Sequence, residues 1–322
     1  MKHLLAFSAS LLFAPHAVAS GGQAQPVKLA PGAINQPGQI TLTPAFTPDG
    51  LTAYFPQSEC AQISPCPQTL RISQKIDGVW QVSEAFPLPQ MGRIDWPSIT
   101  PDGKYLLISW SADRAKYADL DVEEDFDLYR LDLTKADAVP EPLDIIYGEA
   151  GDINRPRSGA IKRLRYVHNE TSPQMTLDGD LYFWTERFDA VGERDIFILP
   201  QEDDGNYDIA KPLPAPINST GRDNHAWVSP AGELMFITYN ERGGEGRADI
   251  FVSRKIDGTW TEPENLGPHL NGPASDIAAK MTSDKSDIVF TSTREGGLLQ
   301  VYTLPTEVLI SAGTLTEADL SR

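Results

Sequence analysis

Phe46-Thr47-Pro48-Asp49-Gly50 is the phrase the chain keeps repeating. It returns as Ile99-Thr100-Pro101-Asp102-Gly103, Met175-Thr176-Leu177-Asp178-Gly179 and Val228-Ser229-Pro230-Ala231-Gly232. A worn copy is Met281-Thr282-Ser283-Asp284-Lys285. The fourth residues of the phrases, Asp49, Asp102, Asp178, Ala231 and Asp284, are separated by 53, 76, 53 and 53 residues. Pro presets φ at the first turn position, and Asp and Gly tolerate the reversal that follows, so each phrase reads as a hairpin. A repeat of this length is the signature of a propeller or an array.

The flanks complete the unit. A β-rich run follows each turn: Leu51 to Phe55, Lys104 to Trp110, Asp180 to Thr185, Glu233 to Tyr239 and Ser286 to Thr291. After a loop comes a run of the type Asp-Ile-Phe, as at Asp195 to Leu199 and Asp249 to Ser253. A second Asp-Gly turn, as in Asp77-Gly78 and Asp257-Gly258, leads to a short fourth strand. Four antiparallel strands per period make one propeller blade. The fold expected is therefore an all-β propeller of five four-stranded blades. Six is the alternative, because the 76-residue interval holds an insertion around 145–169.

Connectors fix how the ring closes. Leu29-Ala30-Pro31-Gly32-Ala33-Ile34-Asn35 resembles Leu213-Pro214-Ala215-Pro216-Ile217-Asn218 and Leu266-Gly267-Pro268-His269-Leu270-Asn271. Each ends a fourth strand and leads into the next blade. The N-terminal copy has a fourth strand, about Val27 to Leu29, with no strands before it. Placing it at the outer edge of the last blade, near Val301, closes the ring and covers an open edge. The propeller then spans 20–304, with 305–322 as a C-terminal tail or an edge strand at Val308 to Ser311.

Residues 1–19 have the layout of a secretory signal peptide: Lys2 and His3, an apolar run to Phe13, then Ala17-Val18-Ala19. A periplasmic or secreted protein is expected, without a membrane span. Cys60 and Cys66, the only cysteines, are expected to form a disulfide in that compartment. A formal net charge of −18 argues against nucleic acid as a partner. A monomer is expected.

The turn followed by Asp249-Ile250-Phe251-Val252-Ser253 and Lys255-Ile256-Asp257-Gly258-Thr259-Trp260 through Gly267 resembles the TolB-type, WD-like β-propeller repeat. The resemblance covers nearly all of the chain after the signal. It implies the fold and a family that includes envelope scaffold proteins, propellers fused to peptidases and propellers acting on sugars. TolB itself differs in having six blades and an extra N-terminal domain.

Propeller geometry directs the search for a site. First strands line the channel, and the loops between strands four and one, and between two and three, share one face. Seven residues before the turn position of Pro48 and its equivalents stand Thr41, Ile94, Glu170, Asp223 and Asp276. Six before stand Leu42, Asp95, Thr171, Asn224 and Ile277, and five before stand Thr43, Trp96, Ser172, His225 and Ala278. The ligand-binding candidates are accordingly Arg93, Asp95, Trp96, Glu170, Asp223, Asn224, His225 and Asp276. If Asp95, Glu170, Asp223 and Asp276 converge, oxygen ligands of this kind suit calcium; otherwise they cap strand starts and pair with Arg93 and Arg222. No nucleophile motif or zinc motif is present to name a catalytic residue. The function expected is non-catalytic binding or scaffolding in the cell envelope, with an envelope protein, a small ligand or an oligosaccharide at the channel mouth. The alternative is a glycoside hydrolase or lyase using the channel carboxylates.

Overall fold

The computed structural model describes residues 24–60, 68–88, 93–111, 126–143, 169–186 and 190–322. Their strands form five antiparallel sheets, one per repeat with the last completed by Val27–Lys28, so the ring has five blades. The signal segment, Cys66 and the 145–168 part of the insertion lie outside the described residues. Cys60 is described, but the Cys60–Cys66 pairing needs its undescribed partner and stays a proposal.

Innermost strands run Ile94–Ile99, Glu170–Met175, Asp223–Val228 and Asp276–Met281, with a split version, Ile40–Thr41 and Ala45–Phe46, in blade one. The next strand out is buried on both faces because it is sandwiched between neighbouring blades: every residue of Leu234–Tyr239 is buried. The core is therefore a ring of layers between blades. Trp227, Phe236 and Val252 of blade four meet Met281, Phe290 and Tyr302 of blade five in one such layer.

Ring closure follows the connector match. Val27–Lys28 pairs antiparallel with Gln300–Pro305, with Val27 opposite Thr303 and Lys28 opposite Tyr302. Leu29 N–H donates to the Val301 carbonyl at 3.0 Å. The recurring connector asparagines explain themselves here. Asn35 Nδ2 donates to the carbonyls of Leu29 and Val301, and its Oδ1 accepts from Val301 N–H. Asn218 holds both backbone groups of Ile196 in this way, and Asn271 those of Ile250. Each connector is thus pinned to the third strand of a blade by a buried amide.

Blades are stitched together on the loop face. The N–H of Thr41, Glu170, Asp223 and Asp276 donates to the carbonyl of Leu299, Phe126, Arg194 and Ala248, respectively, on the blade before. Backbones come so close at these seams that side chains are excluded. A Cβ at Gly246 would stand 2.1 Å from the Ala274 carbonyl oxygen.

Residues 305–322 form neither a loose tail nor an edge strand. Thr306–Ala312 is a helix ended by Gly313 in the left-handed region, and Glu317–Ser321 is a short 3-10 turn with a capping box between Thr316 and Asp319. Leu309 and Leu315 are buried against blades four and five, and Arg254 grips Asp319 at 2.8 Å. The outer edge was already taken by Val27–Lys28, which left this segment to pack as a helix.

Candidate functional site

The innermost strands of blades two to five bulge at equivalent positions. Trp96, Ser172, His225 and Ala278 have φ of 41°, 55°, 48° and 54°, and the strand register shifts at each of them. Left-handed backbone at four non-glycine residues is a strained arrangement, of order 1–3 kcal/mol each, kept where surrounding packing over-determines it. Blade-to-blade hydroxyls supply part of that support. Ser109 Oγ accepts from Ser172 N–H and Thr238 Oγ1 from Ala278 N–H, each at 3.0 Å, while Thr43 and Thr291 share a bond of 2.7 Å.

Side chains from three of the bulges meet. Trp96 is buried and packs with Ile40, Leu42 and Ala278. Its ring centroid is 4.3 Å from that of His225, and Ser172 Oγ lies 3.1 Å from His225 Nδ1. Trp96 and His225 thus form a plug that divides the channel into two mouths. Burial, reinforced by Arg194 and Lys280, lowers the His225 imidazolium to about 3, so the ring is neutral at physiological pH.

On the loop face the plug floors a cavity of about 460 Å³. Arg194, Asn224, His225, Asn240, Ser275 and Thr293 give it polar groups, with Ile40, Ile277 and Leu299 beside them. Arg194 is tied to Glu186 at 2.6 Å, stacks over Trp184 and reaches Asn224 Oδ1 at 3.4 Å. Asn224 Nδ2 then donates to Asn240 Oδ1 at 2.9 Å. Burial raises the Glu186 carboxyl against the pull of Arg194.

The acids read from the repeat sit at the expected places but serve the seams. Arg93 and Asp95 are an ion pair at 3.0 Å, both buried. Glu170 accepts from Thr185 Oγ1 at 3.2 Å. Asp223 accepts from the backbone and hydroxyl of Ser219, at 2.5 and 2.8 Å. Burial nevertheless raises Asp223 to about 6, with Asp195 adding to the rise and Ser219 opposing it. Asp276 is bound by Arg294 at 2.6 Å and by Gly272 N–H at 2.7 Å. Arg93 pairs as the sequence suggests, whereas Arg222 turns outward to Glu193 at 2.7 Å and leaves Asp223 to Ser219. Among the described residues no group of three or more His, Cys, Asp or Glu side chains gathers as a metal site, so the four acids do not converge.

Of the eight candidates, the cavity brings together Asn224 and His225, with Trp96 beneath them. Arg93, Asp95, Glu170, Asp223 and Asp276 are not among the residues that line it. Arg194, Glu186 and Asn240 were missed by the sequence reading. Arg194 immediately precedes the repeating acid of strand three, and Asn240 directly follows strand two, both outside the window aligned on the turns.

No family model matches this chain, and no curated protein does either. Solved structures do. A glycoside hydrolase superposes with a TM-score of 0.54 at 10% identity, covering 86% of this chain and 89% of that one. TolB from Acinetobacter baumannii is similar at 17% identity and a TM-score of 0.48, over 83% of this chain. The chain spans 54% of that TolB structure's length. The putative TolB from Agrobacterium tumefaciens gives 16% identity, a TM-score of 0.48, and coverage of 85% and 80%. Likeness at this identity speaks to the fold alone. The molecule is a five-bladed β-propeller in architecture, with a plugged channel and a polar mouth on its loop face.

Proposed function

We propose that this chain is a non-catalytic binding protein of the cell envelope, exported by its N-terminal segment, that receives a ligand or a partner's segment at the loop-face mouth. One observation carries the reading: the carboxylates nearest the channel are held by donors of their own blade, and the cavity itself is lined by amides, hydroxyls and a guanidinium. Acid–base hydrolysis of a glycoside requires two carboxyl groups flanking the bond. Recognition requires fixed donors and acceptors on a rigid scaffold, which Arg194, Asn224 and Asn240 supply.

The test is capture from envelope extract by the immobilised mature protein, compared with Arg194→Ala and Asn240→Ala variants of unchanged fold. Retention of a defined component by the wild type, lost in both variants, supports the reading. Equal capture by all three would remove the mouth from it.

A further inference from the structure

The other mouth, on the Pro-Asp-Gly face, is chemically unlike the first. A cavity of about 240 Å³ opens there, and all five blades line it. Its walls are mostly apolar, with Phe46, Met175, Trp227 and Met281 prominent. Lys280, on the innermost strand of blade five, lines both this cavity and the constriction beside Trp96 and His225. Its Nζ donates to the Pro97 carbonyl, and no carboxylate among the described residues pairs with it. Ser98, next to Pro97, is 3% exposed, and its Oγ has no hydrogen-bond partner. Gln174 brings an amide to the same space.

A half-buried ammonium with no carboxylate beside it is destabilising unless something compensates it. Burial alone lowers Lys280 to about 7. The chain carries 45 acids against 27 bases, so an internal partner was available in composition yet is not placed here. The titratable groups around Lys280 are His225, neutral, on the adjacent inner strand and, on the cavity lining, Lys285, Asp319 and Arg322. Asp319 is already engaged by Arg254 at 2.8 Å and lies 3.5 Å from Arg322.

We propose that this second mouth binds a small organic carboxylate, with the anionic end on Lys280 and Ser98 and an apolar body along Met175, Trp227 and Met281. A cavity below the roughly 300–1,000 Å³ of drug-sized sites suits a short-chain or single-ring acid rather than a peptide or a sugar chain. The carboxylate restores the ammonium form of Lys280, so binding takes up a proton above neutral pH. The site stands on the opposite face from the proposed partner site and does not depend on it.

Calorimetry on the whole mature protein tests this, with hexanoate and phenylacetate as probes and hexanamide as the uncharged control. Runs at about pH 8 in two buffers of different ionisation enthalpy report the proton. At least one acid should bind saturably with proton uptake, and the amide should not bind. Lys280→Met should weaken binding by at least about tenfold, and Ser98→Ala by about threefold, with unchanged circular dichroism. The proposal is overturned if neither acid binds up to about 10 mM, if the amide binds as well, or if the Lys280 variant binds equally. Should Lys280→Met fail to fold, proton uptake by the wild type decides, and its absence overturns the proposal.

Discussion

The two mouths of the channel are built from the same five strands and end in opposite chemistry. On the loop face, polar groups answer one another: Arg93 with Asp95, Arg294 with Asp276, Ser219 with Asp223, Arg194 with Glu186. On the turn face, a lysine and a serine are left with little or nothing. A repeat therefore does not make equivalent sites. Its conserved spacing places residues, and the irregular residue at each place decides whether it stabilises the ring or awaits a ligand.

The sharpest way to break the contrast is to remove a seam acid. Asp276→Ala leaves Arg294 facing a buried vacancy, and losing one partner of such a pair costs roughly 3–5 kcal/mol. The melting midpoint should drop by about 5–10 °C. A change within a degree or so would mean that Asp276 is available for ligand chemistry after all.

At the other mouth the sign reverses. Lys280 has a folded pKa depressed below its ordinary value, so it costs nothing only where the unfolded chain is also neutral, and stability is lost as pH falls from about 10.5 towards 7. At pH 7 and below it opposes folding in full. Because the side chain is not wholly shielded, the full shift overstates the gain, and Lys280→Met should stabilise by about 1–2 kcal/mol. Destabilisation of similar size would instead make Lys280 a structural donor to Pro97.

Between the mouths, the plug gives a pH signature. His225 is lowered to about 3, so its stabilisation is complete above the ordinary imidazole range and is lost as pH falls from about 6.5 towards 3. Asp223, raised to about 6, runs the other way: its contribution is present at low pH and lost as pH rises from about 4 through 6. The histidine shift is the larger, so the melting midpoint should fall on acidification by the equivalent of about 1–2 kcal/mol. His225→Gln should flatten that limb, and Asp223→Asn should steepen it. Identical pH profiles for all three proteins would contradict the burial of both groups. The smallest expected effect is that of calcium. Acids held by their own blades give it no cluster, so adding calcium or a chelator should leave the midpoint in place. A rise with calcium would restore the ion-site expectation for Asp95, Glu170, Asp223 and Asp276.

Much of this architecture was legible because repetition amplifies weak local signals. A single Thr-Pro-Asp-Gly is a common turn, but five related phrases, three of the four intervals being 53 residues, define blades. The matching asparagines Asn35, Asn218 and Asn271 marked the connectors before their amide clamps were visible. Alignment on the turns also put Trp96 and His225 at equivalent positions, and they meet at the plug. What it could not show was direction. A carboxylate at a strand start points into a seam or into the channel according to a left-handed bulge, and such a bulge at Ser172 or Ala278 leaves no residue-type signature. Lys280 lay beyond the aligned window, and its significance is that no carboxylate among the described residues pairs with it, which only tertiary structure reveals. The C-terminal helix escaped because short segments with apolar residues such as Val308 and Leu309 read equally as strand or helix until the edge they might occupy is known to be filled.

The most direct test of the binding reading is turnover. The mature protein and its Asp95→Asn and Asp223→Asn variants should be incubated with a panel of oligosaccharides, and both products and retained ligand measured. Retention without cleavage, insensitive to either substitution but lost in Arg194→Ala, is the expected result. Cleavage by the wild type that either asparagine substitution abolishes would contradict it and make the channel carboxylates catalytic.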